Sequence, residues 1–162
     1  MAGPAMTTMD YELLKTHIAP FAPAGAEFVE EGSEYLNIVL GPEGFHDFAE
    51  QLKNRPELGL DFLFCLSGVD WGAQLGVVYH LSSSDFQRQL VVKVKIDNRE
   101  KPEVATVSDL WRTAEFHERE AYDLYGIIFV GHPDLRRIFL EDDWEGWPLR
   151  KDYVDEVNIV ER

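Results

Sequence analysis

Leu36, Ile38 and Leu40 alternate with Tyr35, Asn37 and Val39, a period of two that predicts a strand near 34–40 with one face better buried. The same alternation recurs in QLVVKVKID, where Leu90, Val92, Val94 and Ile96 face one way and Val91, Lys93, Lys95 and Asp97 the other. Before the first of these, residues 26–30 read as a partner strand, joined to it by a turn at Glu31–Gly32–Ser33. LGVVYHLSS reads as a further strand. DFLFCLSGVDW is an almost unbroken apolar run, which predicts a central strand covered on both faces. The connection from Leu40 to Leu60 is long enough for a crossover, so those two strands are expected to run parallel.

A helical period appears three times. Asp10 can cap a short helix, DYELLKTHIAP, that Pro20 ends. Gly41–Pro42 opens a second, whose stripe is Phe45, Phe48, Ala49 and Leu52 and which stops before Pro56. The third is expected from about Thr106 to Tyr125, with Gly126 as its C-terminal stop and a short extended piece at Ile127–Phe129. The predicted order is α-β-β-α-β-β-β-α. It describes an α+β single domain with a mixed β-sheet packed by helices on one side, plus an extended irregular C-terminal tail. The expected divisions are a frayed N-terminus (1–8), an α/β core (9–130) and the tail (131–162).

The tail breaks the pattern. Gly131–Tyr153, GHPDLRRIFLEDDWEGWPLRKDY, carries two Trp, a Phe, a Tyr and three Leu, yet follows neither period. Flexible linkers lack such side chains, and a long irregular segment in a compact domain needs a reason. The segment is therefore expected to be ordered by contact, either over its own sheet or along another subunit. Trp, Tyr and Arg are the residue types that concentrate interface energy.

On the third helix Leu110, Ala114, His117, Ala121, Leu124 and Tyr125 share an arc that continues into Trp111 and Tyr122. Arg112, Glu115, Arg119 and Asp123 fall on the opposite side, spaced for i,i+4 pairs. Glu118 projects inside the apolar arc. A buried carboxylate requires a partner or a proton, so Glu118 is expected to meet backbone N–H groups or a cation, with Arg136, Arg137 and Arg150 as candidates. It is either a structural carboxylate that anchors the tail or a partner chain, or an acid that handles protons.

Composition narrows the function. Apolar content of 45% over 162 residues suits a folded domain with a real core. A net charge of -15 argues against nucleic-acid binding and against a polybasic grip on lipid. The one thiol, Cys65, is expected as a buried strand residue and cannot hold an iron–sulfur cluster. No apolar run is long enough to cross a bilayer, and MAGPAMTTMDYE lacks the pattern of a signal peptide.

HERE at 117–120 begins like a zinc-protease helix, but position 121 is Ala where the second His would stand. His17, His46, His80, His117 and His132 have no ligand spacing. Glu141–Asp142–Asp143 lacks the Gly and the closing Glu of a calcium loop. Neither a glycine-rich nucleotide loop nor a serine elbow is present.

From Glu118 to Tyr153, EREAYDLYGIIFVGHPDLRRIFLEDDWEGWPLRKDY resembles the signature of the C subunit, the thirty-kilodalton subunit family, of proton-pumping NADH:quinone oxidoreductase (respiratory complex I). The matching positions begin with Glu118, Arg119, Glu120 and Asp123 and pass through Gly126, Ile127 and Phe129. They continue as His132, Pro133, Leu135, Arg136, Arg137 and Ile138, and close with Trp144, Pro148, Leu149, Arg150, Lys151 and Tyr153. Trp147 departs from the pattern, since many members carry His or another residue there, so the resemblance assigns no proton-bearing side chain at that position.

The resemblance implies a non-catalytic peripheral-arm subunit with no catalytic, cofactor-binding or metal-ligating residue of its own. FMN and iron–sulfur clusters are expected in partner subunits, and quinone and proton translocation belong to the whole complex. It implies docking on the D subunit, which is related to the large subunit of nickel–iron hydrogenases, with the B and I subunits nearby. Glu118, Arg119, Glu120 and Asp123 would fix helix and tail, and 132–138 and Trp144–Tyr153, Trp147 included, would be the docking strip. The expected location is the cytoplasmic face of a bacterial inner membrane, held through the complex without direct insertion. A related membrane complex, either a ferredoxin-linked photosynthetic complex or an energy-converting hydrogenase, is the alternative home. A stand-alone enzyme using Glu118 and Glu120 is the reading of a different class.

Overall fold

The computed structural model describes residues 8–29, 34–86 and 88–155. The expected turn at Glu31–Gly32–Ser33 and most of the expected frayed N-terminus lie outside them. Helix α1 spans Thr8–Ile18, so Asp10 lies inside the helix rather than before it, and a 3-10 turn, Ala19–Phe21, follows. Strands β1 (Glu27–Val29) and β2 (Leu36–Leu40) lead to α2 (Phe45–Asn54). Then come β3 (Phe62–Asp70), β4 (Leu75–Ser82), β5 (Gln89–Ile96), β6 (Glu103–Ala105), α3 (Ala114–Tyr125) and β7 (Ile128–Val130).

Five strands form one mixed sheet in the order β1-β2-β5-β4-β3. The pair β2–β5 is parallel and the other three neighbouring pairs are antiparallel. A single row of partners, Phe28–Ile38–Val92–Tyr79–Leu66, crosses the whole sheet. It belongs to the face that joins Leu14, Ile18, Phe45, Phe48, Leu52 and Trp111 in the buried core. The helices thus cover one face, as the alternation in β2 and β5 requires.

Two expectations fail here. The apolar run of β3 is an edge strand, not a central one; it pairs with β4 and runs parallel to β2, as expected, without pairing with it. Phe62 and Phe64 point outward, and the register shifts between Leu63 and Cys65, a β-bulge. Cys65 is accordingly half-buried, with its sulfur 3.6 Å from the Ser67 hydroxyl, rather than fully enclosed. At the start of this edge the Trp111 indole N–H donates to the Leu60 carbonyl at 3.1 Å. The Thr113 hydroxyl donates to the Leu63 carbonyl at 2.9 Å.

The third helix begins at Ala114, eight residues later than its pattern suggests. Residues 106–113 form turns instead. Thr106 N–H bonds to the Val130 carbonyl and extends a small parallel ribbon of β6 and β7. Val107 N–H is taken by the Glu118 carboxylate at 2.8 Å. A helix over 106–113 would have to give up both bonds.

Candidate functional site: helix α3 and the tail

Arg119 and Asp123 stand one turn apart on α3, and both are buried rather than solvent-facing as their pattern suggested. Their partners are the tail's backbone. Asp123 Oδ2 accepts the N–H groups of Ile138, Phe139 and Leu140 at 3.1, 2.7 and 3.0 Å. Its Oδ1 takes Arg137 at 2.9 Å. Arg119 donates to the carbonyls of Arg136 (3.2 Å) and Arg137 (2.9 Å). The acid therefore reads the amides of one tail segment, and the base reads the carbonyls just before it. Burial pushes the Asp123 carboxyl up, but the Phe139, Leu140 and Ile138 N–H groups and Arg137 outweigh it and hold it below the usual range.

Arg137 continues the tail's path. It also donates to the carbonyls of Asp123, Trp144 and Gly146, and its guanidinium lies 4.6 Å from the centre of the Trp147 ring. Trp147 meets Tyr122 edge-on at 5.4 Å and covers Gly126. Gly126 ends α3 with φ at +71°, and a Cβ there would stand 2.4 Å from the indole. Glycine is needed twice over, for the left-handed backbone and for the ring. Beyond it, Leu149 N–H donates to the Leu124 carbonyl and Arg150 Nε to that of Tyr125, so the tail caps carbonyls that the helix end leaves open.

The tail's end is held by Asp70, at the close of β3. Asp70 accepts Arg99 through two bonds (2.7 and 3.0 Å), Lys151 N–H (2.9 Å) and Gly72 N–H (2.8 Å). The Arg99 bonds outweigh burial and hold this carboxyl well below the usual range. Arg99 also reaches Asp152 at 3.2 Å, and Tyr153 packs against Gly146.

Glu118 is fully buried, as expected, but its partners are not the tail's arginines. It accepts Val107 N–H and the Thr106 hydroxyl. His132 brings Nε2 to 3.8 Å from it and spends that nitrogen on the Glu115 carbonyl at 2.9 Å. Its Nδ1 accepts Asp134 N–H at 3.0 Å. Burial pushes the Glu118 carboxyl from 4.5 up to about 7, against the Thr106 and Val107 bonds. Native protein then holds a proton that the unfolded chain has released, so stability falls as pH rises from about 4.5 through 7. Glu118→Gln is expected to abolish that fall, read as urea midpoints that no longer drop over this window. A variant whose midpoint still drops like the wild type assigns the dependence to another group.

Not every expected residue joins this assembly. Glu120 is exposed while Glu118 is buried, so the structure does not bring the two acids together. Pro133 is exposed, the Arg136 side chain pairs with Asp134 at the surface, and Lys151 contributes its backbone. Leu135 packs on the core, Pro148 is half-buried, and the Trp144 indole is turned inward with its N–H unpartnered among the described residues. Thr106, Asp70 and Arg99 were missed. Asp70 has one available signal, a lone carboxylate closing an apolar strand. Nothing in the sequence ties it to position 99 or 151.

Among the described residues no group of three or more His, Cys, Asp or Glu could hold a metal ion, and no helix is long and apolar enough to cross a membrane. The outward side of the assembly mixes charged side chains with a few large apolar ones. Phe139 is 65% exposed, Leu149 50% and Val154 69%, and the backbone N–H groups of Phe139 and Leu149 are bonded to α3. Large exposed apolar side chains are a common feature of surfaces that hold a partner.

Residues 38–157 match the family model described as respiratory-chain NADH dehydrogenase, 30 Kd subunit. A protein of Phocaeicola vulgatus, named as a C/D subunit of NADH-quinone oxidoreductase, is 53% identical over 122 residues, which are 75% of this chain and 23% of that one. The chain thus spans about a quarter of the length of that relative. The C subunit of NADH-quinone oxidoreductase from Chlorobium phaeobacteroides is 44% identical over 118 residues, 71% of this chain and 70% of its own. A chain in the structure of the membrane-bound sulfane sulfur reductase, an archaeal respiratory membrane complex, superposes with a TM-score of 0.73 at 27% identity and covers 90% of this chain and 86% of its own. With three quarters of its length matched and the buried α3–tail assembly built from the residues of the signature, the chain belongs to the family of the 30 kDa subunit of respiratory-chain NADH dehydrogenase.

Proposed function

We propose that this chain is a non-catalytic peripheral-arm subunit of a proton-translocating NADH:quinone oxidoreductase. The observation that carries this reading is the tail, whose backbone is locked to α3 by Arg119, Asp123 and Arg137 while Phe139, Leu149 and Val154 face outward. FMN and iron–sulfur clusters would reside in other subunits, which would move electrons from NADH to quinone. The D subunit is the proposed occupant of the apolar strip, with the B and I subunits adjacent. The relatives named as C/D subunits support this, since both letters fall on one chain there. The complex would hold the chain at the cytoplasmic face of the inner membrane.

A second reading, the same module in a related membrane complex, is favoured by the likeness to a chain of the archaeal sulfane sulfur reductase. Neighbouring genes for NADH- and flavin-binding subunits distinguish the two. The docking test is the double variant Phe139→Asp and Leu149→Asp, both at exposed positions. Its unfolding midpoint is expected to match the wild type while its recovery with the tagged D subunit drops at least tenfold, the equivalent of about 1.4 kcal/mol. Full recovery of the double variant with that partner overturns the assignment of this strip.

A further inference from the structure

Beside α2 and the β6–β7 ribbon lies an open groove whose walls include His46, Thr106, Ser108, Asp109 and Val130. Glu115 of α3 and Gly131 and Pro133 at the start of the tail close its other side. Beneath it sits Glu118, fully enclosed. Two hydroxyls join the carboxyl to the groove. Thr106 Oγ1 is bonded to Glu118 Oε2 and stands 2.8 Å from Ser108 Oγ, which lines the groove. We propose that Glu118 is a proton-exchanging carboxyl, reached from the groove through the hydroxyls of Ser108 and Thr106.

The chain is satisfied in either direction. With Glu118 ionised, Thr106 donates to the carboxylate and accepts from the Ser108 hydroxyl. With Glu118 protonated, the carboxyl donates to Thr106 and Thr106 donates to Ser108. Ser108 N–H bonds to Thr106 Oγ1 at 3.1 Å in both, and a hydroxyl oxygen has room for two acceptances and one donation. Each hydroxyl releases the proton it carried as it takes the next. One solvent proton enters at Ser108 and one arrives on Glu118, with no charge left on either oxygen.

The groups that face Glu118 do not compete for this role. From β4 comes the Tyr79 hydroxyl, fully buried, without a partner among the described residues, and close enough to feel the carboxylate's charge. From the tail comes His132, whose Nε2 is committed to the Glu115 carbonyl. From the 106–109 turn comes Asp109, whose charge opposes ionisation of Glu118 and which is itself engaged by His46 of α2 at 2.8 Å. No Lys or Arg is paired with Glu118 from these elements, so a proton is the available counter-charge.

Infrared difference spectra of the full chain, taken between about pH 5 and about 9, test this. A protonated-carboxyl band is expected to vanish with a midpoint near neutrality and to be absent in Glu118→Gln. Thr106→Val removes a bond to the ionised form and should raise the midpoint by about one pH unit, with Thr106→Ser restoring it. Ser108→Ala, at the groove surface, should slow hydrogen–deuterium exchange of the carboxyl about tenfold while leaving the fold intact. A carboxyl that stays ionised throughout overturns the proposal. So does wild-type exchange in both Ser108→Ala and Thr106→Val, because protons would then reach Glu118 by another path.

Discussion

Asp123→Ala is expected to release the tail from α3 and to destabilise the chain by about 3–5 kcal/mol, the range for breaking a buried ion pair from one side. The carboxylate is fully enclosed and satisfies three consecutive amides together with Arg137. Its loss strands four donors at once, and a buried donor without a partner costs more than a typical hydrogen bond returns. Asp123→Asn keeps an acceptor and removes the charge, so its cost should be intermediate. Chemical denaturation gives the first number, and hydrogen exchange over 137–147 gives the second, with rates that approach those of an open coil. A stability loss below about 1 kcal/mol with the tail still protected would show that the remaining contacts suffice without the carboxylate.

Gly126→Ala should be the next largest single change. A left-handed non-glycine residue costs roughly 1–2 kcal/mol, and here the new Cβ would also stand 2.4 Å from the Trp147 ring. The indole must move, and with it goes its contact with Arg137. We expect a total of about 2–4 kcal/mol. Repeating the substitution in a Trp147→Ala background separates the parts, since only the backbone share of about 1–2 kcal/mol should persist there. Equal costs in both backgrounds would mean that the indole moves aside without penalty.

These two residues show what the sequence could reveal and what it could not. The periodicity of β2 and β5 placed their buried faces, because side chains alternate whatever the neighbouring strand is. Strand order carries no such signal. DFLFCLSGVDW looked central because it is apolar on both faces, yet Phe62 and Phe64 lie in the open on an edge. QLVVKVKID carries Lys93 and Lys95 and is the middle strand, since its outer face is only partly covered and long side chains can reach water. Glu118 was legible as a carboxylate on an apolar arc. Asp123 and Arg119 looked like surface charges because their partners are backbone amides and carbonyls, which have no letter in a sequence. For the same reason the late start of α3 was hidden, since Val107 N–H and the Thr106 hydroxyl go to Glu118.

The edge formed by β3 bears on the subunit's life before it finds a partner. A nine-residue strand with exposed aromatic side chains is a template for other chains to add to. The Trp111 indole and the Thr113 hydroxyl occupy carbonyls at the beginning of this edge, and the bulge after Leu63 bends the path that an incoming strand would follow. Both features disfavour the addition of a further strand to this edge. The residues that start α3 also guard the sheet, so one short segment protects the unassembled chain and sets the helix on which the tail is built.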